Sequence, residues 1–253
     1  MSIILLNNET LESRKKAIEE FRKLKTITGV EAIDSIFDGG VYKGSLYCIT
    51  ACRGVGKTTF LLAMAKKLAQ TMKVLYVSYE QEYYQLASFL PDINENLIII
   101  SGEPISGKEL VEVINEYNIE AVCYDYIGAT LSGDWDDLVR EADKLANVAK
   151  ETKVLFFTAA QADDELFNTY KNDKNDPILH TGRYLSFSKH MADKFAGAAY
   201  LLKDGTLICY KNRYGRFTEN NYVLNMNYET KDFIEWTNIP PFKKIDYNKR
   251  FSK

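Results

Sequence analysis

The sequence has few of the residues that form metal centres or disulfide bridges. Its 253 residues include only two histidines and four cysteines. The cysteines form no CxxC pair, and Cys48, Cys123 and Cys209 fall in predicted strands. We therefore interpret them as small buried thiols, and the shortage of histidines argues further against a zinc site.

Long apolar runs and a strong net charge are also missing. No stretch approaches the roughly 20 apolar residues that cross a bilayer, and the N-terminal MSIILLNNET is too short and too uncharged for a secretory signal. We therefore expect a cytoplasmic protein without a membrane partner. The net charge of −3 gives no sign of a globally basic nucleic-acid binder, although residues 171–194 and the C-terminal tail are locally basic. A ring-shaped assembly would turn such a local patch into a basic channel.

The pattern of apolar residues predicts an α/β fold. Hydrophobic residues make up 46% of the chain and charged residues 26%, which is ordinary for a soluble protein with a core. Apolar strands alternate with helical stretches, which predicts a mainly parallel sheet flanked by helices. The predicted strands are SLYCIT, KVLYVS, NLIIIS, EAVCYD, KVLFFTA, AAYLLK and TLICYKN. The predicted helices cover residues 58–71, 81–89, 106–117 and 136–151. Asp204-Gly205 predicts a hairpin, so the sheet should end in an antiparallel C-terminal extension.

A charged amphipathic pattern over residues 9–25 predicts a further helix. Its thin apolar seam consists of Leu11, Ile18, Phe21 and Leu24. We divide the chain into an N-terminal helical arm (1–27), one α/β domain (28–240) and a basic tail (241–253). The arm would pack on its own domain or on a neighbouring subunit.

The stretch ITACRGVGKTTF places two glycines, a lysine and two threonines between a predicted strand and a predicted helix. From Ala51 to Thr58 the spacing is that of the phosphate-binding pattern GxxxxGK[ST], with alanine in place of the first glycine. In such a loop the backbone N–H groups surround phosphate oxygens at the positive end of the helix. Lys57 would reach the β- and γ-phosphates, and Thr58 would hold Mg²⁺. The candidate nucleotide-binding residues are Arg53, Gly54, Val55, Gly56, Lys57, Thr58 and Thr59, and the candidate cofactors are ATP or another NTP and Mg²⁺.

Three polar residues at strand ends complete a candidate hydrolysis site. Asp125 ends the apolar segment EAVCYD, where a carboxylate that organises the metal is expected. Tyr126 follows it, so the base must lie elsewhere, and Glu80 in VLYVSYEQ is our candidate. Gln161 ends VLFFTAAQ, where it would sense the γ-phosphate. Because parallel strands end at one edge of a sheet, these side chains should converge on the phosphate loop. The alternatives are that Asp125 caps the next loop, that Glu80 starts a surface helix and that Gln161 is an ordinary polar residue at a strand end.

Taken in this order, the motifs resemble the RecA-like P-loop ATPases, and specifically the C-terminal motor domain of DnaB-type replicative helicases. The resemblance covers about residues 28–227. It rests on TGVEAIDSIFDGGVYKGSLYCITACRGVGKTTF, SYEQ, CYDYIG and TAAQ. It implies a RecA-like core, hydrolysis of ATP coupled to DNA translocation or unwinding in replication, and single-stranded DNA as a partner.

The segment YKNRYGR resembles that family's late Lys-x-Arg signature, with Lys211 and Arg213 on an antiparallel strand. In the family these residues reach a neighbour's nucleotide, and a guanidinium group suits the charge that develops on a transferring phosphoryl group. Arg216 competes with Arg213 for this role. The resemblance implies a homo-oligomer, a hexameric ring by analogy, with a separate primase or loader. About 27 residues precede the motor, a compact size that resembles motors encoded by phages and mobile elements.

In a ring of this kind, the loops at 128–137 and 162–190 would face the central hole. The candidate nucleic-acid-binding residues in the second loop are Lys171, Lys174, Arg183 and Lys189. Tyr170, Tyr184 or Phe187 would offer stacking faces to bases. Five acidic residues in the same segment dilute its charge, so an ordinary solvated loop is the alternative.

Two other functions remain open at this point. A RecA-type recombinase or recombination-mediator ATPase would share the fold and the phosphate loop but form filaments, and the Lys-x-Arg signature favours the helicase. A nucleotide-gated switch or scaffold would use ATP to order an oligomer, and its turnover would ignore single-stranded DNA.

Overall fold

The computed structural model describes residues 8–90, 95–128, 135–185, 189–216 and 222–234. Its strands are β1 (Lys25–Thr26), β2 (Val41–Tyr42), β3 (Ser45–Ala51), β4 (Val74–Ser78), β5 (Leu97–Ser101), β6 (Ala121–Asp125), β7 (Leu155–Gln161), β8 (Gly197–Leu201), β9 (Thr206–Asn212), β10 (Tyr222–Val223), β11 (Asn225–Asn227) and β12 (Asp232–Ile234). Its α-helices are α1 (Asn8–Lys23), α2 (Glu31–Ile36), α3 (Lys57–Leu68), α4 (Tyr83–Ser88), α5 (Gly107–Glu116), α6 (Trp135–Thr152), α7 (Glu165–Asn172) and α8 (Lys189–Ala192). Two short 3₁₀ helices cover Pro177–His180 and Gly182–Tyr184.

The main sheet has eight strands in the order β10-β9-β8-β3-β7-β6-β4-β5. The strands from β8 to β5 pair in parallel, while β8 with β9 and β9 with β10 are antiparallel. Every residue of β3, β4, β6 and β8 is buried. Helices cover both faces of a parallel sheet. Side chains on both faces of its strands are therefore buried, which suits continuously apolar strands.

The structure confirms the predicted fold class and the predicted elements. Each of the seven predicted strands and five predicted helices exists, with ends that shift by at most a few residues. The Asp204-Gly205 turn joins the antiparallel pair β8 and β9, and Gly205 adopts a positive φ of 81°. Cys48, Cys123 and Cys209 are buried free thiols in strands, as the sequence predicted, and Cys52 is buried directly after β3.

Residues 28–40 fold into a hydrogen-bonded turn that leads into the core. The carboxylate of Asp34 accepts bonds from the Thr28 N–H at 2.8 Å and the Gly29 N–H at 3.1 Å. The backbone carbonyl of Asp34 accepts hydrogen bonds from the backbone N–H groups of Gly39 and Gly40. Thr28, Gly29 and Asp34 of the TGVEAID segment therefore belong to one local structure. This structure leads the chain into β3.

Helix α1 is exposed along its described length. Its apolar seam is only partly covered, since Ile18 keeps 52% of its surface exposed. The ring of Phe21 lies 4.6 Å from that of Tyr42 and 5.2 Å from that of Tyr214. The C-terminal end of the helix thus touches its own domain through an aromatic cluster. None of the helices in the described ranges is long and apolar enough to cross a membrane.

The expectation of one long loop over residues 162–190 is wrong. The segment folds into α7, the two 3₁₀ helices and the start of α8. Leu166 and Tyr170, one helical turn apart, are both buried. The Tyr170 hydroxyl bonds to Asp204 and Thr206 near the β8–β9 turn. The segment is therefore a packed layer beside the sheet, and a helical spacing in its sequence was the available signal.

Candidate functional site

The phosphate-loop motif lies between the end of β3 and the start of α3. Gly54 and Gly56 have φ values of 75° and 112°, a region that residues with a Cβ seldom adopt. The first helical hydrogen bond of α3 joins the Phe60 N–H to the Gly56 carbonyl at 2.8 Å. The amides that precede Phe60 thus come before the helical ladder, where helix N-termini offer N–H groups to anions.

Lys57 is the first residue of α3, directly after the loop glycines. Its Nζ donates to the Ala51 carbonyl at 3.4 Å and lies 5.4 Å from the centre of the Tyr126 ring. Burial lowers the pKa of Lys57, while the nearby carboxylates of Glu80 and Asp125 raise it. The two predicted acids therefore lie close enough to Lys57 for their charges to act on it.

Asp125 is fully buried at the end of β6. Its Oδ2 accepts a hydrogen bond from the Tyr76 hydroxyl at 2.8 Å, and Oδ1 has no hydrogen-bond partner among the described residues. Burial raises the pKa of Asp125 to about 6, although the Tyr76 and Thr58 hydroxyls act in the opposite direction. A buried carboxylate oxygen without a partner, beside the threonine of a phosphate loop, is a donor set that fits a hard cation such as Mg²⁺.

Asp125→Asn should raise the free energy of unfolding of the nucleotide-free and magnesium-free protein. Because burial raises its pKa from 3.8 to about 6, the ionised carboxylate increasingly destabilises the fold as pH rises from the lower value through the higher one. A neutral amide of the same shape removes this cost, which is on the order of 3 kcal/mol at about pH 7.5, and the gain should fall to about half near pH 5. Urea denaturation at both pH values measures the difference. Glu103→Gln, an exposed carboxylate, is the matched control, and a less stable Asp125→Asn protein would contradict the interpretation.

Glu80 and Gln161 complete the arrangement at the same edge of the sheet. Glu80 is exposed, two residues past the end of β4, and is close enough to hydrogen-bond with the Tyr126 side chain. Gln161 is the last residue of β7 and pairs in register with Ala51, the first residue of the phosphate motif. The ends of β3, β7, β6 and β4, which are consecutive in the sheet, therefore bring the predicted residues together.

Lys211 and Arg213 lie away from the phosphate loop. Lys211 pairs with Ala198, and Ala198 pairs with Cys48, three residues before Ala51. The Lys211 Nζ donates to the Ala192 carbonyl, and the Arg213 Nη2 donates to the Asp193 carbonyl at 2.6 Å. These cations are thus two strands from β3 and toward its opposite edge, so they do not join the phosphate loop of their own subunit.

The candidate nucleic-acid residues lie between positions 171 and 189. Lys171, Lys174 and Arg183 are exposed, and the side chain of Lys189 lies outside the described residues, as does Phe187. Arg183 lines a cavity of about 550 Å³ together with Lys211, Asp193 and Tyr210. Most of the predicted loop at 128–137, and the tail at 241–253, also lie outside the described ranges.

The prediction that Tyr170 or Tyr184 stacks on bases is wrong. Only 6% of Tyr170 and 3% of Tyr184 is exposed. The Tyr184 hydroxyl bonds to Thr169 at 2.8 Å, and the Tyr170 hydroxyl is used at the β8–β9 turn. Rings packed in this way have no free face for a base.

Sequence reasoning missed two tyrosines of the site. Tyr76, in the middle of β4, reaches across to Asp125 in the neighbouring strand β6. Tyr228, between β11 and β12, donates a hydrogen bond to the Val55 carbonyl of the phosphate loop at 3.1 Å. The partner of Tyr76 follows from strand pairing, whereas nothing local in the sequence links Tyr228 to Val55.

Comparison of the sequence with protein families matches residues 26–91 to the DnaB-like helicase C terminal domain. Curated relatives include the DNA repair protein RadA of Aquifex aeolicus, 39% identical over 75 residues, which are 28% of this chain and 17% of that protein. RadA of Helicobacter pylori strain J99 is 34% identical over 119 residues, or 40% of this chain and 27% of that protein. RadA of Escherichia coli is 41% identical over 71 residues, or 28% and 15%. The chain thus matches about a quarter or less of the length of these relatives.

Among solved structures, the ATPase domain of G40P superposes with a TM-score of 0.71 at 17% sequence identity, covering 91% of this chain and 98% of that chain. A DnaB-like replicative helicase, solved to study its interactions with primase, superposes with a TM-score of 0.69 at 15% identity, covering 93% and 68%. The chain therefore has the RecA-like fold of these ATPase domains over nearly its whole length, and the resemblance found in the sequence is confirmed.

Proposed function

Because this chain has the fold of the ATPase domains of DnaB-like helicases, we propose that it is an ATP-driven motor of the DnaB type that moves along single-stranded DNA in replication. The observation that carries the proposal is the convergence of Lys57, Thr58, Asp125 and Glu80 at one sheet edge, with a buried carboxylate oxygen of Asp125 free to bind a cation. Glycines, lysine and paired polar residues at such an edge are the parts that nucleotide hydrolysis requires.

Each residue of the site has a proposed role. The amides of residues 53–59 other than Val55, whose N–H donates to the Cys52 carbonyl at 3.3 Å, and the Lys57 ammonium bind the triphosphate of ATP or another NTP. Thr58 and Asp125 would hold Mg²⁺, which would supply positive charge to offset the negative charge of the phosphates. Glu80, an exposed carboxylate, accepts the proton of the attacking water. Gln161, in register with Ala51, contacts the γ-phosphate.

Hydrogen bonds beyond Gln161 support a route from the nucleotide to DNA. The Ala162 N–H donates to the Ala51 carbonyl at 3.0 Å, and the Asp163 N–H donates to the Tyr184 carbonyl at 2.8 Å. Two successive residues therefore connect the phosphate-loop strand to the segment that carries Arg183. A change in the contact of Gln161 with a γ-phosphate would move this segment, which is our proposed origin of translocation.

The position of Lys211 and Arg213 supports a role in a neighbouring subunit. Strands rise about 3.3 Å per residue and lie about 4.8 Å apart, so the register puts Lys211 on the order of 14 Å from Ala51, and Arg213 farther. Neither side chain spans that distance toward its own phosphate loop. We propose that they complete the site of an adjacent copy in a hexameric ring, that the exposed helix α1 packs on that copy, and that Lys171, Lys174, Arg183 and Lys189 face DNA.

Single-stranded DNA should raise the rate of ATP hydrolysis at least several-fold. A steady-state ATPase assay with and without an oligothymidine strand measures this, and the effect should fall as salt rises because phosphate contacts are screened. Strand displacement on forked DNA, with either the 5′ or the 3′ tail blocked, then measures unwinding and its direction. Hydrolysis that ignores DNA would contradict the motor and favour a nucleotide-gated switch.

The similarity to RadA supports a second candidate, a recombination-related ATPase. The three RadA proteins named above are 34–41% identical to this chain over 71–119 residues. Electron microscopy with ATP and DNA distinguishes the two, because closed rings are expected for the replicative motor and helical filaments for a recombinase.

A further inference from the structure

The hairpin formed by β11 and β12 packs on the helix that follows the phosphate loop. Lys66 of α3 forms an ion pair with Asp232 at 2.6 Å and donates to the Thr230 carbonyl at 2.9 Å. The rings of Phe60 and Phe233 lie 5.7 Å apart. These contacts hold the hairpin along α3, from Phe60 in its first turn to Lys66 in its last turn.

Tyr228, in the turn between β11 and β12, reaches the phosphate loop itself. Its hydroxyl donates to the Val55 carbonyl at 3.1 Å, a bond of ordinary length. A Cβ added to Gly56 would come within 2.8 Å of the Tyr228 ring. The missing side chain at position 56 therefore allows the ring to lie directly against the loop, in addition to allowing the positive φ.

The hydrogen bond fixes the orientation of one peptide unit. The Val55–Gly56 peptide is planar and trans, so its carbonyl and its N–H point in opposite directions. When Tyr228 holds the carbonyl, the Gly56 N–H must face away from the hairpin and stays available to an anion. Glycines at 54 and 56 allow wide rotation about their backbone bonds, so without this bond the peptide would be free to turn.

We propose that Tyr228 is a positioning residue that holds the Val55–Gly56 peptide with its N–H available to a phosphate oxygen. This role rests on the proposed function, since it requires that the loop bind a nucleoside triphosphate. Tyr228 acts through the backbone of the loop and on the phosphate chain, so it contributes equally to any ligand with a triphosphate and is indifferent to the base.

Tyr228→Phe keeps the ring and removes the hydroxyl. We expect the affinity for ATP, GTP and inorganic triphosphate to fall by the same factor, about 2- to 10-fold, which is the usual net value of one hydrogen bond. Equilibrium binding by calorimetry with Mg²⁺ measures all three. In the ligand-free protein, amide hydrogen exchange over residues 52–60 should become faster in the variant. Tyr117→Phe, an exposed tyrosine at the end of α5, is the control and should change neither quantity.

The outcomes separate this role from the function on which it rests. Unchanged triphosphate affinity and unchanged exchange in Tyr228→Phe would overturn the positioning role alone. A loss for ATP and GTP without a loss for inorganic triphosphate would also overturn it, because Tyr228 would then contact the nucleoside. If the wild-type chain bound none of the three ligands, the proposed function and this role would both be wrong. If binding followed expectation but DNA failed to stimulate hydrolysis, the positioning role would stand and the motor would not.

Discussion

Lys57→Ala should abolish ATP hydrolysis and weaken nucleotide binding by about 10- to 100-fold, the loss expected for charge-assisted bonds to phosphate. The Lys57 ammonium lies near Glu80, Asp125 and Tyr126, half-buried and with its pKa lowered by burial. A bound triphosphate would replace weak contacts, such as the 3.4 Å bond to Ala51, with strong ones. Steady-state ATPase rates and binding of a fluorescent ATP analogue measure both effects.

The matched control is Lys108→Ala, which removes an exposed lysine of α5 whose ion pair with Glu112 is long, at 3.7 Å. Normal turnover by Lys57→Ala would refute the phosphate-loop assignment. The same variant tests assembly when it is mixed with Arg213→Ala. If Arg213 acts on an adjacent subunit, mixed oligomers contain some intact sites and recover part of the activity. No recovery at any ratio would argue against a role between subunits.

Glu80→Gln should stop hydrolysis, by a factor of about 10² to 10⁴, while ATP still binds. The amide keeps the size of the side chain and its capacity to bond with Tyr126, but it cannot accept a proton from water. The substitution also removes a negative charge near Lys57, so the affinity for ATP should stay equal or rise. Single-turnover hydrolysis together with equilibrium binding separates the two steps. Glu103→Gln is the control, and an unchanged rate for Glu80→Gln would place the base at another residue.

Much of the architecture was predictable because its determinants are local. Strands such as SLYCIT and EAVCYD are continuously apolar, and the sheet buries them on both faces. Gly54, Gly56 and Lys57 sit at a fixed spacing between a strand and a helix, so the loop could be predicted from a dozen residues. The rule that parallel strands end at one edge then predicted that Asp125, Glu80 and Gln161 would approach it, and the structure brings them there.

The parts that were missed depend on contacts between distant segments. Tyr228 meets Val55 across 173 positions of sequence, and no periodicity or spacing encodes such a pair. The segment after Gln161 contains many polar residues and was predicted as a loop, yet Leu166 and Leu179 are buried in it. Tyr170 bonds to Asp204 in the connection of β8 and β9, and the Tyr184 N–H donates to the Tyr200 hydroxyl of β8. The burial of a few apolar residues at helical spacing determines that the segment folds into helices, whereas its average polarity predicted a loop.

The end of the sheet at β5 has a practical consequence. All five residues of this strand, LIIIS, are only partly covered, and β4 is the one described strand that pairs with it. The outer row of backbone N–H and C=O groups on such an apolar strand is a template for pairing with another chain. The protein should therefore tend to aggregate at high concentration through β5, and a lysine introduced at this rim should improve its solubility.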